Sequence, residues 1–260
     1  MGANLPFHQV YRYYEPDEPD ESGGRRVEFR LIYQGPLPSE KCKDTAGPGS
    51  GAVGRAKEKH ELRKHFHLQL RELWNQHPDL REQAEQRFLI HTTPTNLVSD
   101  PGPGVRQITR TFGDMNKLSG VKTWLEHVAD SNVRCNGNRF VPLIGEAGGF
   151  TCALDILFLR RDNPGNLIDN QGDIDNRIKV LFDGLRMPRD VKELGGYPIT
   201  ADENPFFCLL ENDSLITSVS ITTDRLVIPL KETEDIGNVL LVIHVTMVNP
   251  SSVFAGGRLV

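Results

Sequence analysis

Apolar and polar positions change period several times along the 260-residue chain, and each change marks an element. Residues 26–33, RVEFRLIY, alternate polar and apolar side chains, the period-2 pattern of a half-buried strand, and the proline-serine turn at Pro36–Ser39 ends it. Residues 40–56 carry Lys41, Lys43 and Arg55 among glycines and read as a flexible basic loop. Leu62, Phe66, Leu70 and Leu73 then recur at helical spacing opposite Glu58, Lys59, Arg63 and Lys64. That spacing predicts a helix over 57–74, closed by Pro78, with a short second helix in DLREQAEQRF. Pro, Gly and Thr dominate 91–113, an irregular connection, and residues 115–130 predict a helix with Leu118, Val121, Leu125 and Val128 on one side. RFVPLIG and FTCALDILFLRR, around the turn at 146–149, predict a central hairpin. A polar loop over 162–172 leads into DIDNRIKVLFDGLRMP, where Ile174, Ile178, Leu181 and Leu185 share one helix face. A second long loop, 187–209, precedes two strands, SLITSVSITTDRLVI and NVLLVIHVTMV.

These elements predict an α+β fold, a mixed sheet with helices packed against it. The acidic, turn-rich residues 1–24 read as a mobile arm and 249–260 as a flexible tail. Residues 25–248 read as a single domain, with an inserted elaboration at about 80–150.

Composition narrows the class. An apolar fraction of 38% and a charged fraction of 25% exclude a wholly disordered, collagen-like or coiled-coil chain. The longest apolar run, Val239–Val248, is interrupted by His244 and is far short of a membrane helix, so no membrane partner is expected. No secretory signal is visible at the N-terminus, and Pro6 disfavours myristoylation, so the expected location is cytoplasmic. Cys42, Cys135, Cys152 and Cys208 form no CxxC pair, which argues against a zinc ribbon or a disulfide framework. The net charge of −5 speaks against nucleic acid, yet between Arg25 and Glu72 eleven Lys and Arg face six Asp and Glu. A local basic patch therefore sits inside an acidic whole.

Candidate chemistry gathers around residue 175. Asp173 and Asp175 flank Ile174 at a helix mouth, and Asp175, Lys179 and Asp183 follow one another at i, i+4 and i+8. Asp213 precedes a strand that can bring a third carboxylate to the same place. Converging carboxylates with a lysine suit Mg²⁺-dependent phosphodiester hydrolysis, because hard oxygens hold the ion and the ammonium offsets transition-state charge. From periodicity alone, a capped and solvated helix face is the better reading of the same residues. Asp155 is a further carboxylate inside a strand, where a hydrogen-bonded or edge aspartate is the plainer reading. GSGAVGRA, 49–56, lacks the lysine and the hydroxyl of a P-loop and reads equally as a basic loop for DNA phosphates or as a mobile surface loop. His60, His65 and His67 lack metal-ligand spacing and read as solvated or DNA-facing, while Trp74 and Trp124 read as core anchors.

DIDNRIKVLFDGL followed by NDSLI resembles the signature of the RusA family of Holliday junction resolvases: an Asp-x-Asp-Asn-x-x-Lys-x-x-x-Asp-x-Leu helix and a later acidic element before a strand. Asp173, Asp175, Asn176, Lys179, Asp183 and Leu185 fill the defining positions of the first motif. The resemblance implies a RusA-like fold and a homodimeric, Mg²⁺-dependent, structure-selective endodeoxyribonuclease cutting branched DNA such as four-way junctions, with Mn²⁺ able to substitute. It implies that Asp173, Asp175 and Asp213 bind metal, that Lys179 is catalytic and that Asn176 and Asp183 support them. Lys41, Lys43, Arg55, Lys57 and Lys59 are the expected DNA contacts. Asn212 departs from the family's usual aspartate, the 187–210 loop is longer, and 80–150 has no counterpart in small members, so the likeness covers about half the chain. A non-catalytic DNA-binding or assembly protein with this fold, and a nuclease redirected to another nucleic acid, are the alternative readings.

Overall fold

The apolar stripe of the first long helix organises the molecule. In the computed structural model, which describes residues 27–37, 51–91, 105–109, 120–146, 149–161, 174–227 and 238–248, helix α1 spans Gly51–Gln76. Leu62, Phe66, Leu70 and Leu73 are all buried, as the spacing predicts. Each contributes roughly 1.5–3 kcal/mol of transfer free energy. The helix starts earlier than residue 57, taking in part of the expected basic loop.

Against α1 lies a four-stranded sheet of β1 (Glu28–Pro36), β10 (Asn238–Val248), β7 (Thr151–Arg160) and β9 (Ile216–Arg225), in that order. β10 is antiparallel to both β1 and β7, whereas β9 runs parallel to β7. Alternation along β1, β7 and β10 sends Leu31, Leu154, Ile156, Phe158, Ile243 and Val245 into one core with α1. Helix α4 (Ile174–Leu185) lies in the crossover from β7 to β9, as parallel strands require, and buries Ile178, Leu181 and Leu185 in that core. Gly184 allows α1 and α4 to approach, because a Cβ there would lie 2.8 Å from that of Leu62.

Two smaller sheets complete the fold. β2 (Arg87–His91) pairs in parallel with β3 (Val105–Thr109) and antiparallel with β4 (Gly120–Thr123). β6 (Asn138–Ile144) pairs antiparallel with β5 (Val133–Arg134) and in parallel with β8 (Phe206–Leu210). Helix α2 (Pro78–Glu85) has its proline in the first turn, and α3 is Trp124–Ser131. The molecule is thus an α+β assembly of mixed sheets with helices packed on them. No helix among the described residues is long and apolar enough to cross a membrane. The expected arm, 1–24, and tail, 249–260, lie outside the described residues.

Several local expectations are corrected. The predicted hairpin of β6 and β7 does not form: β6 pairs with β5 and β8, while β7 sits between β10 and β9 in another sheet. The two apolar runs satisfy distant partners, which their short connection does not reveal. The single helix predicted over 115–130 is divided, with 120–123 forming β4 and the helix starting at Trp124. A reciprocal capping box fixes that start: the Thr123 hydroxyl accepts from Glu126 N, and the Glu126 carboxylate accepts from Thr123 N at 2.8 Å. The connections read as loops hold strands: β3 lies in 91–113, and β8 begins within 187–209 and ends at Leu210. β8, FFCLL, is buried at every position and has the continuous apolar pattern of an interior parallel strand.

Candidate functional site

Burial of Ile178, Val180, Leu181 and Leu185 against α1 and the sheet fixes the rotation of α4, which turns Asp175 and Lys179 to solvent. Their side chains are 55% and 61% exposed, and Lys179 Nζ lies 4.0 Å from Asp175 Oδ2. An exposed pair at that distance contributes under about 1 kcal/mol, so neither group is committed to the other. Asn176 is buried, 1% exposed, and its Nδ2 has no hydrogen-bond partner among the described residues. Asp173 immediately precedes the helix and lies outside the described residues.

The second acidic element follows β8. A short 3₁₀ turn, Asp213–Leu215, packs against α4 and anchors itself through buried Leu215. Asp213 is half exposed, 3.6 Å from the Arg189 guanidinium. Asn212 caps this turn, its Oδ1 accepting from Ser214 N at 3.0 Å, while its Nδ2 donates to Glu146 Oε1 at 2.6 Å. That second bond requires the amide, because a carboxylate at 212 would lose the donor and stand against Glu146. Glu211 in turn accepts from Glu146 N at 2.9 Å and pairs with Arg134 at 3.4 Å. The ends of β5, β6 and β8 are tied together beside the turn.

Asp183, one turn beyond Lys179, faces inward to a charged cluster. Lys59 Nζ lies 2.7 Å away and Arg186 donates at 2.6 and 2.9 Å. Burial works to raise the Asp183 pKa, but the Lys59 hydrogen bond and the Arg186 and Lys59 charges outweigh it and hold the carboxyl below its usual range. Glu193 joins the same cluster, receiving Arg63 and Arg186, each at 3.0 Å, and Arg63 is 1% exposed. Arg63 also donates to the Glu193 carbonyl at 2.8 Å and to the Arg186 carbonyl at 3.1 Å. This cluster was not legible as such: Arg63 sits on the polar side of the α1 pattern, and its Glu193 partner lies 130 residues away. Around it opens a cavity of about 320 Å³ with Arg55, Lys59, Asp190 and Lys192 in its wall.

The expected DNA contacts have different fates. Lys41 and Lys43 lie outside the described residues. Arg55 lines the cavity, Lys57 stands over the Tyr197 ring at 5.2 Å, and Lys59 is bound to Asp183. The histidines are corrected: His60 and His67, read as solvated or DNA-facing, are each 1% exposed, and His65 Nε2 is 2.8 Å from the Ile32 carbonyl. The partners of His60 and His67, Phe206 and the β8 backbone, come from the strand hidden in the expected loop. Trp74 is buried and Trp124 is partly buried against the core. Asp155 is exposed on the sheet face turned away from the core, with His244 and Ser220 as its cross-strand neighbours.

Among the described residues, no three His, Cys, Asp or Glu side chains converge as a metal-holding group. The donors present nevertheless suit Mg²⁺, which binds through one or two carboxylates and fills its remaining positions with water and phosphate oxygens. Asp175 and Asp213 are open carboxylates on elements that pack together. No family model, curated protein or solved structure matches the chain.

Proposed function

We propose that the chain is a Mg²⁺-dependent endodeoxyribonuclease of RusA type that acts on branched DNA, such as a four-way junction, as a homodimer. The reading rests on one observation: the described part of the motif, Ile174 onward, is a helix whose Asp175–Lys179 face stays open, with the Asp213 turn packed against the same helix. Asp175 and Asp213, with Asp173 from the same motif, would hold the ion. When bound, Mg²⁺ supplies a polarised water and neutralises charge on the leaving oxygen. Lys179, beside Asp175, offers an ammonium to the phosphoryl oxygens as negative charge builds on them. The inward-turned Asp183, paired with Lys59 and Arg186, holds the end of the helix that carries these groups, and Asn176 is buried beneath it, so neither touches the substrate.

Cleavage of a synthetic four-way junction in Mg²⁺ tests this reading. Asp175→Asn and Asp213→Asn are each expected to lower the rate on the order of 100-fold while leaving the fold intact. Cleavage by either variant at the wild-type rate would remove the site. Junction binding without cleavage by the wild type would instead favour a non-catalytic DNA-binding protein.

A further inference from the structure

The basic face of α1 is covered from within the chain. Lys59 pairs with Asp183, Arg63 with Glu193, Lys64 with Glu203 at 3.0 Å, Arg71 donates to the Asp202 carbonyl at 3.4 Å, and Lys57 stands over Tyr197. Apart from Asp183 at the end of α4, all these partners come from residues 187–205, the long connection between α4 and β8. It lies along α1 as a strap. The strap is firmly seated: Arg63 and Arg186 clamp Glu193, and a Cβ on Gly195 would fall 2.3 Å from the Lys57 backbone nitrogen.

The strap also carries cations of its own to the outside. Arg189 is 64% exposed and 3.6 Å from the Asp213 carboxylate, and Lys192 is exposed at the wall of the cavity that Arg55 also lines. The acids of that wall are already engaged. Asp183 and Glu193 carry Lys59, Arg63 and Arg186, and Asp190 caps the strap's own turn by accepting from Lys192 N and Glu193 N. We propose that Arg189 and Lys192, together with Arg55, form the phosphate-binding track that brings nucleic acid to Asp175 and Asp213. This inference rests on the nuclease reading; it keeps Arg55 at the start of α1 and replaces the other expected α1 contacts, Lys57 and Lys59, with cations of the strap. An arginine in an exposed ion pair gives up little on exchanging its carboxylate for a phosphate, which its planar fork matches in two bonds. Arg189 is therefore a phosphate-positioning contact beside Asp213, held on a rigid support.

The experiment is anisotropy of a labelled four-way junction in Ca²⁺, so that binding is read without turnover. Arg189→Ala with Lys192→Ala is expected to raise Kd about tenfold or more, and the salt dependence should flatten by about 0.9 in slope for each phosphate that the variant no longer neutralises. Lys64→Ala, which removes an α1 cation already paired with Glu203, should change Kd less than twofold. Arg189→Gln with Lys192→Gln, which removes the charges but keeps polar, hydrogen-bonding side chains, should reproduce the alanine result if charge is the cause. Wild-type affinity in both double variants, or an equal loss in Lys64→Ala, overturns the track alone. A wild-type protein that binds no junction overturns the nuclease reading and the track with it.

Discussion

His60 and His67 enclose Phe206 between two imidazole rings, at centroid distances of 5.9 and 4.4 Å with 26° between the planes in each case. His67 Nδ1 accepts from Phe207 N at 2.8 Å, which fixes the neutral ring with its proton on Nε2. Burial, reinforced by Arg63 and Lys64 at His60 and by Arg71 at His67, lowers both pKa values to about 4. The unfolded chain takes up protons at these residues below about pH 6.5, whereas the folded chain does so only near 4. Stability is therefore full above about pH 6.5 and declines between about 6.5 and 4, by at most about 1.4 kcal/mol per pH unit for each histidine. Urea unfolding at about pH 7 and pH 5 should show this loss, and His60→Met with His67→Gln should lessen it. An unchanged pH dependence in that variant would mean that other groups carry it. Residue type alone misleads here, since a polar side chain on a helix is read as solvated until its partner strand is known. Asn212 shows the converse: its amide became intelligible only beside Glu146.

At the scale of elements, α1 and the strap form one unit. α1 buries its apolar stripe against the sheet, and its charged side is satisfied by the strap rather than by solvent. A second, smaller core of Cys135, Phe140, Met187, Leu194, Phe206 and Cys208 seals the region where the strap meets β6 and β8. The tightest approach is at Gly195, which has φ of 62° and no room for a side chain. Gly195→Ala is expected to destabilise the protein by at least about 2 kcal/mol, combining left-handed backbone strain with a clash against α1. Because the clash lies at the strap, amide exchange over residues 191–203 should rise more than in α4. Uniform exchange, or unchanged stability, would mean that the strap seats elsewhere. The same unit accounts for β8, whose five apolar residues look like a loop interruption until β6 supplies the ladder and α1 the cover.

For the whole molecule, Leu80, Ala129, Val141, Leu143 and Ile144, from the region expected as an insertion, share one core with Leu31, Phe66 and Leu181. Trp74 on α1 and Trp124 on α3 both pack on that core, so each reports on the same packing. Trp74→Phe and Trp124→Phe each leave one reporter, and both should unfold by fluorescence at the midpoint that far-UV circular dichroism gives for the same variant. Separated midpoints would make residues 80–150 an independent unit. The local elements α1, α4, β1 and β10 were legible because their signal is a period within the segment itself, and the period alone says which face of α4 is apolar. Asp175 and Lys179 could therefore be read as its open face. Strand partners were not legible, since β6, β7, β8 and β9 are runs that would satisfy several neighbours, and only the assembled sheets decide among them. Nor could charge be assigned from position along the chain: Lys59, Lys64 and Arg189 carry the same sign, but Asp183 and the strap neutralise the first two, while the strap directs the third toward Asp213. Periodicity is a property of neighbouring residues, so the sequence by itself determined it. Pairing and electrostatic compensation join groups as far apart as His67 and Phe207, 140 residues along the chain, and only the tertiary structure brings those together.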